Sequence, residues 1–290
     1  FCKVPVRLIS RIPPQIETSP SEDTIASLDE KNIREEAPRK YKWELGFFTG
    51  TPLYFGDLYQ DNPAIGFNNV KPAAGLRLSY QLNGHFSFEA RPNFMVIAGS
   101  DARETRIGQT RGTGYKRNLS FRTTIAELAI LAHWDFIEVK TLKTWVPGIH
   151  SGFTGFYFQP MGEFEGNWYD LRNIGTEGQT INGKDDRYER FSYGIPLGVH
   201  LKRHLSENLK LTLSYTHTKL FTDYLDDVST GTYPDAELLK AANPDIPDAA
   251  ARLSNPAGLT GQRSVSGDYD GYAYWGITFT WKLKKLKPAL

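Results

Sequence analysis

Three aspartates, Asp223, Asp226 and Asp227, stand close together in a long segment between two apolar stretches. Carboxylate oxygens are ligands that Ca²⁺ prefers, so a calcium site is one interpretation of this cluster. The segment lacks the glycine and the terminal glutamate of a recognised calcium loop. The other interpretation, which we prefer, is a turn in which the aspartate side chains accept backbone N–H groups. The sequence therefore predicts no metal ion and no cofactor.

The other candidates for catalysis are weaker. Glu163, Glu165 and Glu177 could form a carboxylate pair for hydrolysis, but nothing in the sequence fixes their separation. The nucleophile motif G-x-S-x-G is absent from the chain. Among the histidines only His200 and His204 have a spacing that could suggest ligands, and they span a strand end rather than one face of a helix. We therefore expect no enzymatic activity.

The composition narrows the class of protein. The chain has 290 residues, of which 40% are hydrophobic and 13% aromatic, and its net charge is +1. A nearly neutral chain without a basic stripe is not expected to bind nucleic acid. No apolar run approaches the roughly 18 residues of a transmembrane helix. The single cysteine, Cys2, cannot form an intrachain disulfide; we interpret it as a free thiol, with an acylated anchor as the alternative.

The stretch from Tyr272 to Leu283 alternates strictly between two kinds of side chain. Trp275, Ile277, Phe279 and Trp281 stand at every second position, which predicts a strand with one apolar and one polar face. The polar face carries mainly Gly and Thr, so the small side chains are the polar ones. This suits a transmembrane barrel, whose large residues face lipid. An antiparallel soluble sandwich gives the same alternation, so this strand alone does not decide.

Seven earlier segments show the same period of two and predict further strands. They begin near Trp43, Leu76, Phe86, Ala126, Trp145, Ile195 and Leu209. The fifth covers roughly residues 145–158, and Pro92 within the third predicts a bulge or a local break. The residues that we predict to face lipid in the eight strands are Leu128, Ile130, Leu211, Leu213, Trp275, Ile277, Phe279 and Trp281.

The connections between the strands favour a membrane barrel over a sandwich. They alternate between short ones, at about residues 83–85, 139–143 and 203–208, and long ones, at about 57–72, 99–119, 160–192 and 220–270. Short turns on one side and long loops on the other are typical of outer-membrane barrels. We predict an all-β fold, an eight-stranded antiparallel transmembrane β-barrel over residues 41–284, with the N-terminal tail 1–40 and the short end 285–290 in the periplasm.

Charged residues fall on the small face of the predicted strands. In lipid each basic side chain would cost about 2–4 kcal/mol near the midplane, whereas inside the barrel it can pair. An eight-stranded barrel is just wide enough to be filled by its own side chains. We therefore expect a packed network of ion pairs in the lumen and no pore. Its predicted members are Arg77, Glu89, Arg91, Glu127, His133, Asp135, Lys210 and Lys282.

The long loops and the strand ends beside them carry a series of short motifs. In chain order these hold Gly56 and Asp57; Arg117, Asn118 and Arg122; Thr176, Glu177 and Gly178; and, in F-T-D-Y-L-D-D-V-S-T at 221–230, Asp223, Asp226 and Asp227. Their order and spacing resemble the PorG family of the Bacteroidetes over about residues 43–283. The ten-residue motif of the fourth loop is the most specific part of this resemblance.

The resemblance implies an outer-membrane barrel of the type IX secretion system, without enzymatic activity. It also implies partners, namely the PorK lipoprotein and the PorN subunit of a periplasmic ring. The long tail and the extended fourth loop depart from the family pattern and leave these partners open. One alternative is a small ligand-binding or transport barrel, which would need an open lumen or a lateral gap. An outer-membrane enzyme is the other, and the missing nucleophile motif disfavours it.

The N-terminal tail is rich in Pro, Glu, Asp and Ser and precedes the first strand. Residues 4–12 are apolar, and residues 19–36 predict a short helix with a capping box at its start. Neither element has enough apolar surface to fold alone. We interpret the tail as a docking arm for a partner, with a mobile extension as the alternative. The predicted docking residues are Val4, Val6, Leu8, Ile9, Ile25 and Leu28.

Overall fold

The computed structural model describes residues 42–58, 71–100, 117–138, 141–142, 144–229, 231–264 and 269–283. The tail with its predicted docking residues, Cys2 and the C-terminal end at 285–290 lie outside the described residues. In the ranges given, no helix is long and apolar enough to cross a membrane.

Within these ranges, one antiparallel sheet closes on itself. Its strands are β1 (Trp43–Phe55), β2 (Ala73–Gln81), β3 (Phe86–Ser100), β4 (Ser120–Asp135), β5 (Trp145–Phe164), β6 (Asn167–Asp170), β7 (Phe191–His204), β8 (Leu209–Leu220) and β9 (Gly271–Lys282). Pairing runs from β1 through β2, β3, β4, β5, β7, β8 and β9 and returns to β1. The predicted closed barrel of eight antiparallel strands is confirmed, and the short β6 lies outside the ring of eight.

One strand end differs from the prediction, and the predicted irregularity at Pro92 takes the form of a local break rather than a bulge. β5 continues past the expected end near 158 because its last residues pair with β6 in a hairpin, from Met161 opposite Asp170 to Phe164 opposite Asn167. Pro92 causes no bulge, since the register between β3 and β4 is continuous through it. Instead the pairing of β3 with β2 is interrupted beside Pro92, whose nitrogen has no hydrogen to donate.

The connections divide the barrel into a short-turn end and a long-loop end, as predicted. The described parts of the long loops contain three α-helices: α1 (Leu171–Ile174) in the third loop, and α2 (Ala236–Ala242) and α3 (Pro247–Ser254) in the fourth. The Asp235 side chain caps α2 by accepting the backbone N–H groups of Glu237 and Leu238. The period-two pattern gives no sign of these helices, because they are short and lie between the strands.

The outer surface of the barrel is apolar around its circumference. Leu197, Trp275 and Val199 are each more than half exposed, at 61%, 58% and 55%. A water-soluble monomer rarely exposes so large a continuous apolar surface, so the exterior is that of a membrane-spanning barrel. Of the predicted lipid-facing residues, those exposed on this surface are Leu128, Ile130, Leu213, Trp275, Ile277, Phe279 and Trp281. Leu211, also on the outer face, lies between Arg203 and Phe279 of the neighbouring strands and is half-buried.

Candidate functional site: the barrel lumen and its loop cap

The half of the lumen near the short turns is filled with ionisable side chains. We call this region the charged layer; its members are Glu44, Arg77, Glu89, Arg91, His133, Asp135, His150, His200, Lys202 and Lys210. Glu89 lies at its centre, with its Oε1 2.7 Å from Arg91 Nε and 3.4 Å from Arg77 Nε. Both guanidinium groups are almost completely buried, so this carboxylate is their counter-ion within the barrel.

Two further ion pairs complete the charged layer toward the short-turn end. Asp135 Oδ1 accepts hydrogen bonds from Lys202 Nζ and His200 Nε2, each at 2.7 Å. Lys210 pairs with Glu44 across the lumen. Because these partners come from different strands, the pairs hold the closed barrel in one register.

Two predicted members of the network are not paired as expected. Glu127 accepts hydrogen bonds from Thr154 Oγ1 at 3.1 Å and Asn93 Nδ2 at 3.5 Å, so a hydroxyl and an amide replace the predicted cation. Lys282 Nζ has no hydrogen-bond partner among the described residues. Lys282 is the penultimate described residue, at the end of β9, where the lumen side chains give way to the barrel rim.

Three histidines meet inside the charged layer, although no motif in the sequence predicts their meeting. His133, His150 and His200 are buried, and one ring nitrogen of each lies within 4.8 Å of those of the other two. Their spacing along the chain carries no ligand pattern because they belong to β4, β5 and β7. The strand register brings them together: His133 lies opposite His150, and His200 lies opposite Gly148. Alternation alone already placed His133 and His200 on the inner face.

The other half of the lumen, near the long loops, is filled by aromatic and aliphatic side chains. We call this region the apolar layer; its members are Phe48, Met95, Ile97, Phe121, Ile125, Phe156, Phe158, Tyr272 and Tyr274, all buried. The Phe48 ring packs over Gly276 of the neighbouring strand β9, where a Cβ atom would lie 1.8 Å from the ring. The expectation of a lumen held by ion pairs is therefore correct for one half of the barrel only.

Together the two layers leave little space in the lumen. A cavity of about 20 Å³ lies in the charged layer, lined by residues that include Glu89, Arg91, His133 and Lys202. This volume has room for about one water molecule. In the described part of the chain, the barrel interior is thus a packed core.

The long loops form a polar cap over the apolar layer, which we call the loop cap. Arg117 donates one hydrogen bond to the backbone oxygen of Asp57 at 2.9 Å and another to that of Arg263 at 3.0 Å. Thr123 Oγ1 donates to the Leu225 oxygen at 2.6 Å. Through this bond the segment 221–229 contacts the strand β4 near its long-loop end.

Asp227 is the centre of the loop cap. Its carboxylate accepts hydrogen bonds from the hydroxyls of Tyr188, at 2.7 Å, and Thr176, and lies 3.7 Å from Arg263 Nη2. Arg263 Nη1 also lies 3.4 Å from Glu177 Oε1, which accepts the backbone N–H of Ser229. Burial raises the pKa of Asp227 to about 6, although Arg263 and both hydroxyls act in the opposite direction.

A second pair of acids in the loop cap lies beside β1. Asp270 accepts hydrogen bonds from Tyr54 Oη and from the backbone N–H of Leu225, each at 2.8 Å. Burial raises the pKa of both Asp270 and Asp226, and the Asp270 carboxyl group further disfavours the ionisation of Asp226. Gly56 is required beside them, since a Cβ atom there would lie 2.1 Å from Asp270 Oδ1.

The remaining motif residues have different surroundings. Asp226 Oδ1 accepts the backbone N–H of Val228 at 2.9 Å, as the turn interpretation predicts, and Asp223 accepts the hydroxyl of Ser229 at 3.0 Å. Arg122 lies on the outer face, with its guanidinium 5.1 Å from the centre of the Trp168 ring. Asn118 is exposed and Gly178 forms a turn with φ of +88°. The motifs thus supply cap contacts, turns and rim positions.

Comparisons with known proteins give similarities to solved barrels. No family model and no curated protein matches the sequence. The outer membrane protein OprG of Pseudomonas aeruginosa is 11% identical, with 86% of this chain and 98% of that chain covered and a TM-score of 0.38. The Neisserial surface protein A is 9% identical (83% and 97% covered, TM-score 0.39), and the Escherichia coli outer membrane protein W is 12% identical (84% and 100% covered, TM-score 0.31).

Proposed function

We propose that this chain is an outer-membrane β-barrel and that it serves as a non-enzymatic, non-conducting structural component. The observation that carries this proposal is the filled lumen: ion pairs occupy one half and buried aromatic residues the other. A transport barrel would need an open path for its substrate. The apolar exterior supports insertion among outer-membrane lipids, because it would be costly in water.

We further propose that the barrel belongs to the type IX secretion system and links the outer membrane to the periplasmic ring of PorK and PorN. The support for this step is the resemblance of the loop motifs to the PorG family. Asp57, Arg117, Glu177 and Asp227, from four separate loops, contribute to one loop cap. A shared motif order in the family would follow from the need to preserve such contacts.

The N terminus is proposed to lie in the periplasm, on the side of the short turns. An even number of strands places both ends of the barrel on the same side, and short turns are usually periplasmic. The tail of residues 1–40 would then be available to the ring subunits. We propose that it contributes to their binding.

Isolation of the complex from native membranes tests this assignment. The tagged full-length chain is expected to co-purify with PorK and PorN, and deletion of residues 1–40 should weaken their retention while the barrel remains folded and inserted. Full recovery of the partners with the truncated chain would reject the docking role of the tail. Failure of the intact protein to retain either partner would reject the secretion role and leave the proposed structural barrel untouched.

A further inference from the structure

We propose that His133, His150 and His200 form a binding site for one divalent transition-metal ion inside the barrel. Imidazole nitrogen is a ligand that suits Zn²⁺, Cu²⁺, Ni²⁺ and Fe²⁺, and three histidines are a known ligand set for zinc. The three side chains are buried and come from adjacent strands of the closed barrel. This site does not depend on the resemblance to PorG or on the proposed secretion role.

The first support is the separation of the ring nitrogens. His150 Nδ1 and His200 Nδ1 are 3.3 Å apart. Two ligands of a tetrahedral zinc ion, each at roughly 2.0–2.1 Å, lie about 3.3–3.4 Å from each other. The His133 ring centre lies 5.0 Å from that of His150 and 5.1 Å from that of His200, and one ring nitrogen of each histidine lies within 4.8 Å of those of the other two.

The second support is the set of groups that hold two of the rings from behind. His200 Nε2 bonds to Asp135 Oδ1 at 2.7 Å. Because a carboxylate accepts, Nε2 carries the hydrogen and Nδ1 presents a lone pair toward His150. Histidine ligands of metal ions commonly have such a carboxylate behind them. His150 Nε2 has a comparable contact with Thr216 Oγ1, at 2.9 Å.

The third support is His133 itself. Both of its ring nitrogens are buried and have no hydrogen-bond partner in the part of the chain described here. Glu89 Oε2 lies 3.6 Å from its Nε2, beyond the length of a hydrogen bond. Buried polar atoms without a partner are costly, and a metal ion would satisfy one of these nitrogens.

The backbone around the histidines leaves room for their rings only because two glycines face them. A Cβ atom on Gly148 would lie 2.4 Å from His200 Nε2, and one on Gly198 would lie 2.4 Å from His150 Nε2. Arg91 and Lys202 line the same region and would repel a cation, whereas Glu89 and Asp135 would balance its charge. The site is therefore suited to an ion held by direct imidazole bonds rather than by charge alone.

The proposal is tested by refolding the full chain in the presence of metal. The ion is added while the barrel forms because its ligands are buried in the folded protein. The protein is refolded in detergent with Co²⁺ or Zn²⁺ and then desalted. We expect about one ion per chain and, with Co²⁺, the visible absorption of a tetrahedral site. His133→Gln, His150→Gln and His200→Gln should each abolish this absorption. Asp135→Asn, which removes the negative charge behind His200 and beside Lys202, should weaken binding roughly 10–100-fold.

Two histidines outside the cluster provide matched controls. His217 lies on the outer face of β8, and His204 lies on the inner face at the end of β7. Replacement of either residue by Gln should not remove the ion. Folding of every variant is verified by its heat-dependent shift in gel mobility. A folded wild-type barrel without tetrahedral Co²⁺ absorption overturns the proposal, and His150 and His200 are then linked only by an N–H···N contact. Retention of the ion by folded cluster variants also overturns it, since the metal would then be bound adventitiously elsewhere.

Discussion

The charged layer and the apolar layer fill the same barrel by different physical means. In the charged layer each side chain depends on a particular partner, as Glu44 depends on Lys210, 166 positions away in the chain. In the apolar layer each side chain depends on shape and volume, as the Phe48 ring depends on the absence of a side chain at Gly276. A lost partner leaves a buried charge in the first layer, and a lost side chain leaves a cavity in the second.

The two layers are joined by the arginines at their boundary. The Arg77 guanidinium lies 4.1 Å from the centre of the Phe48 ring, and Arg91 donates a hydrogen bond to Tyr274 Oη at 2.8 Å. Each arginine therefore contacts a carboxylate on one side and an aromatic residue on the other. Among the described residues, therefore, no polar path connects the two layers.

The largest effect is expected in the charged layer, from Glu89→Ala. The substitution leaves the buried Arg77 and Arg91 without their shared carboxylate, and breaking a buried pair costs about 3–5 kcal/mol. Urea unfolding in detergent measures the change in the free energy of unfolding. Glu163→Ala, an exposed glutamate in the hairpin of β5 and β6, is the control and should cost less than about 0.5 kcal/mol. Equal effects of the two substitutions would show that the charged layer is not a connected unit.

A smaller effect is expected in the apolar layer, from Gly276→Ala. The new methyl group would collide with the Phe48 ring, and overpacking costs about 1–3 kcal/mol. In a Phe48→Ala background the same substitution should cost almost nothing, because the colliding ring is gone. A double-mutant cycle of unfolding free energies measures this coupling. Additive effects would contradict the packing that we describe.

The smallest effect on the stability of the whole barrel is expected from a change of pH, because the pH acts on the acids of the loop cap. The folded-state pKa of Asp270, about 8, lies above its usual value of about 4, so the protonated form is favoured by folding. The stabilisation that comes from the protonated Asp270 carboxyl group is present at acidic pH and is lost as the pH rises from about 4 to 8. The protection of the Leu225 and Val228 amides, which is the intrinsic exchange rate at the same pH relative to their observed rate, should therefore fall over this range, and Asp270→Asn should flatten the change. Lower protection at acidic pH than at about pH 8 would give the opposite sign and contradict the burial of these acids.

The strands could be predicted because their faces differ in chemistry at every second residue. Trp275, Ile277 and Phe279 alternate with small residues, and this is enough to assign the outer face. The apolar layer was less visible, because Phe156 and Phe158 share a Gly-rich strand whose outer face also carries Phe153 and Tyr157. Large residues on both faces weaken the alternation from which the lumen was predicted.

The site could be predicted only where its contacts are local or lie on a recognisable motif. The turn at Asp226 is local and was foreseen. Arg263, which binds Asp227 and Glu177, stands beyond two unpredicted helices, and no pattern in the sequence connects it to them. The meeting of His133 with His200 depends on the register of three strands, which alternation does not specify.

The most direct test of the filled lumen is the electrical conductance of the barrel in a planar lipid bilayer. We predict that the purified wild-type protein produces no stable single-channel steps, because the two layers leave room for about one water molecule in the described cavity. Arg91→Ala should destabilise the barrel and still produce none, since the apolar layer continues to block the lumen. Large, reproducible currents from the folded wild-type protein would contradict the account.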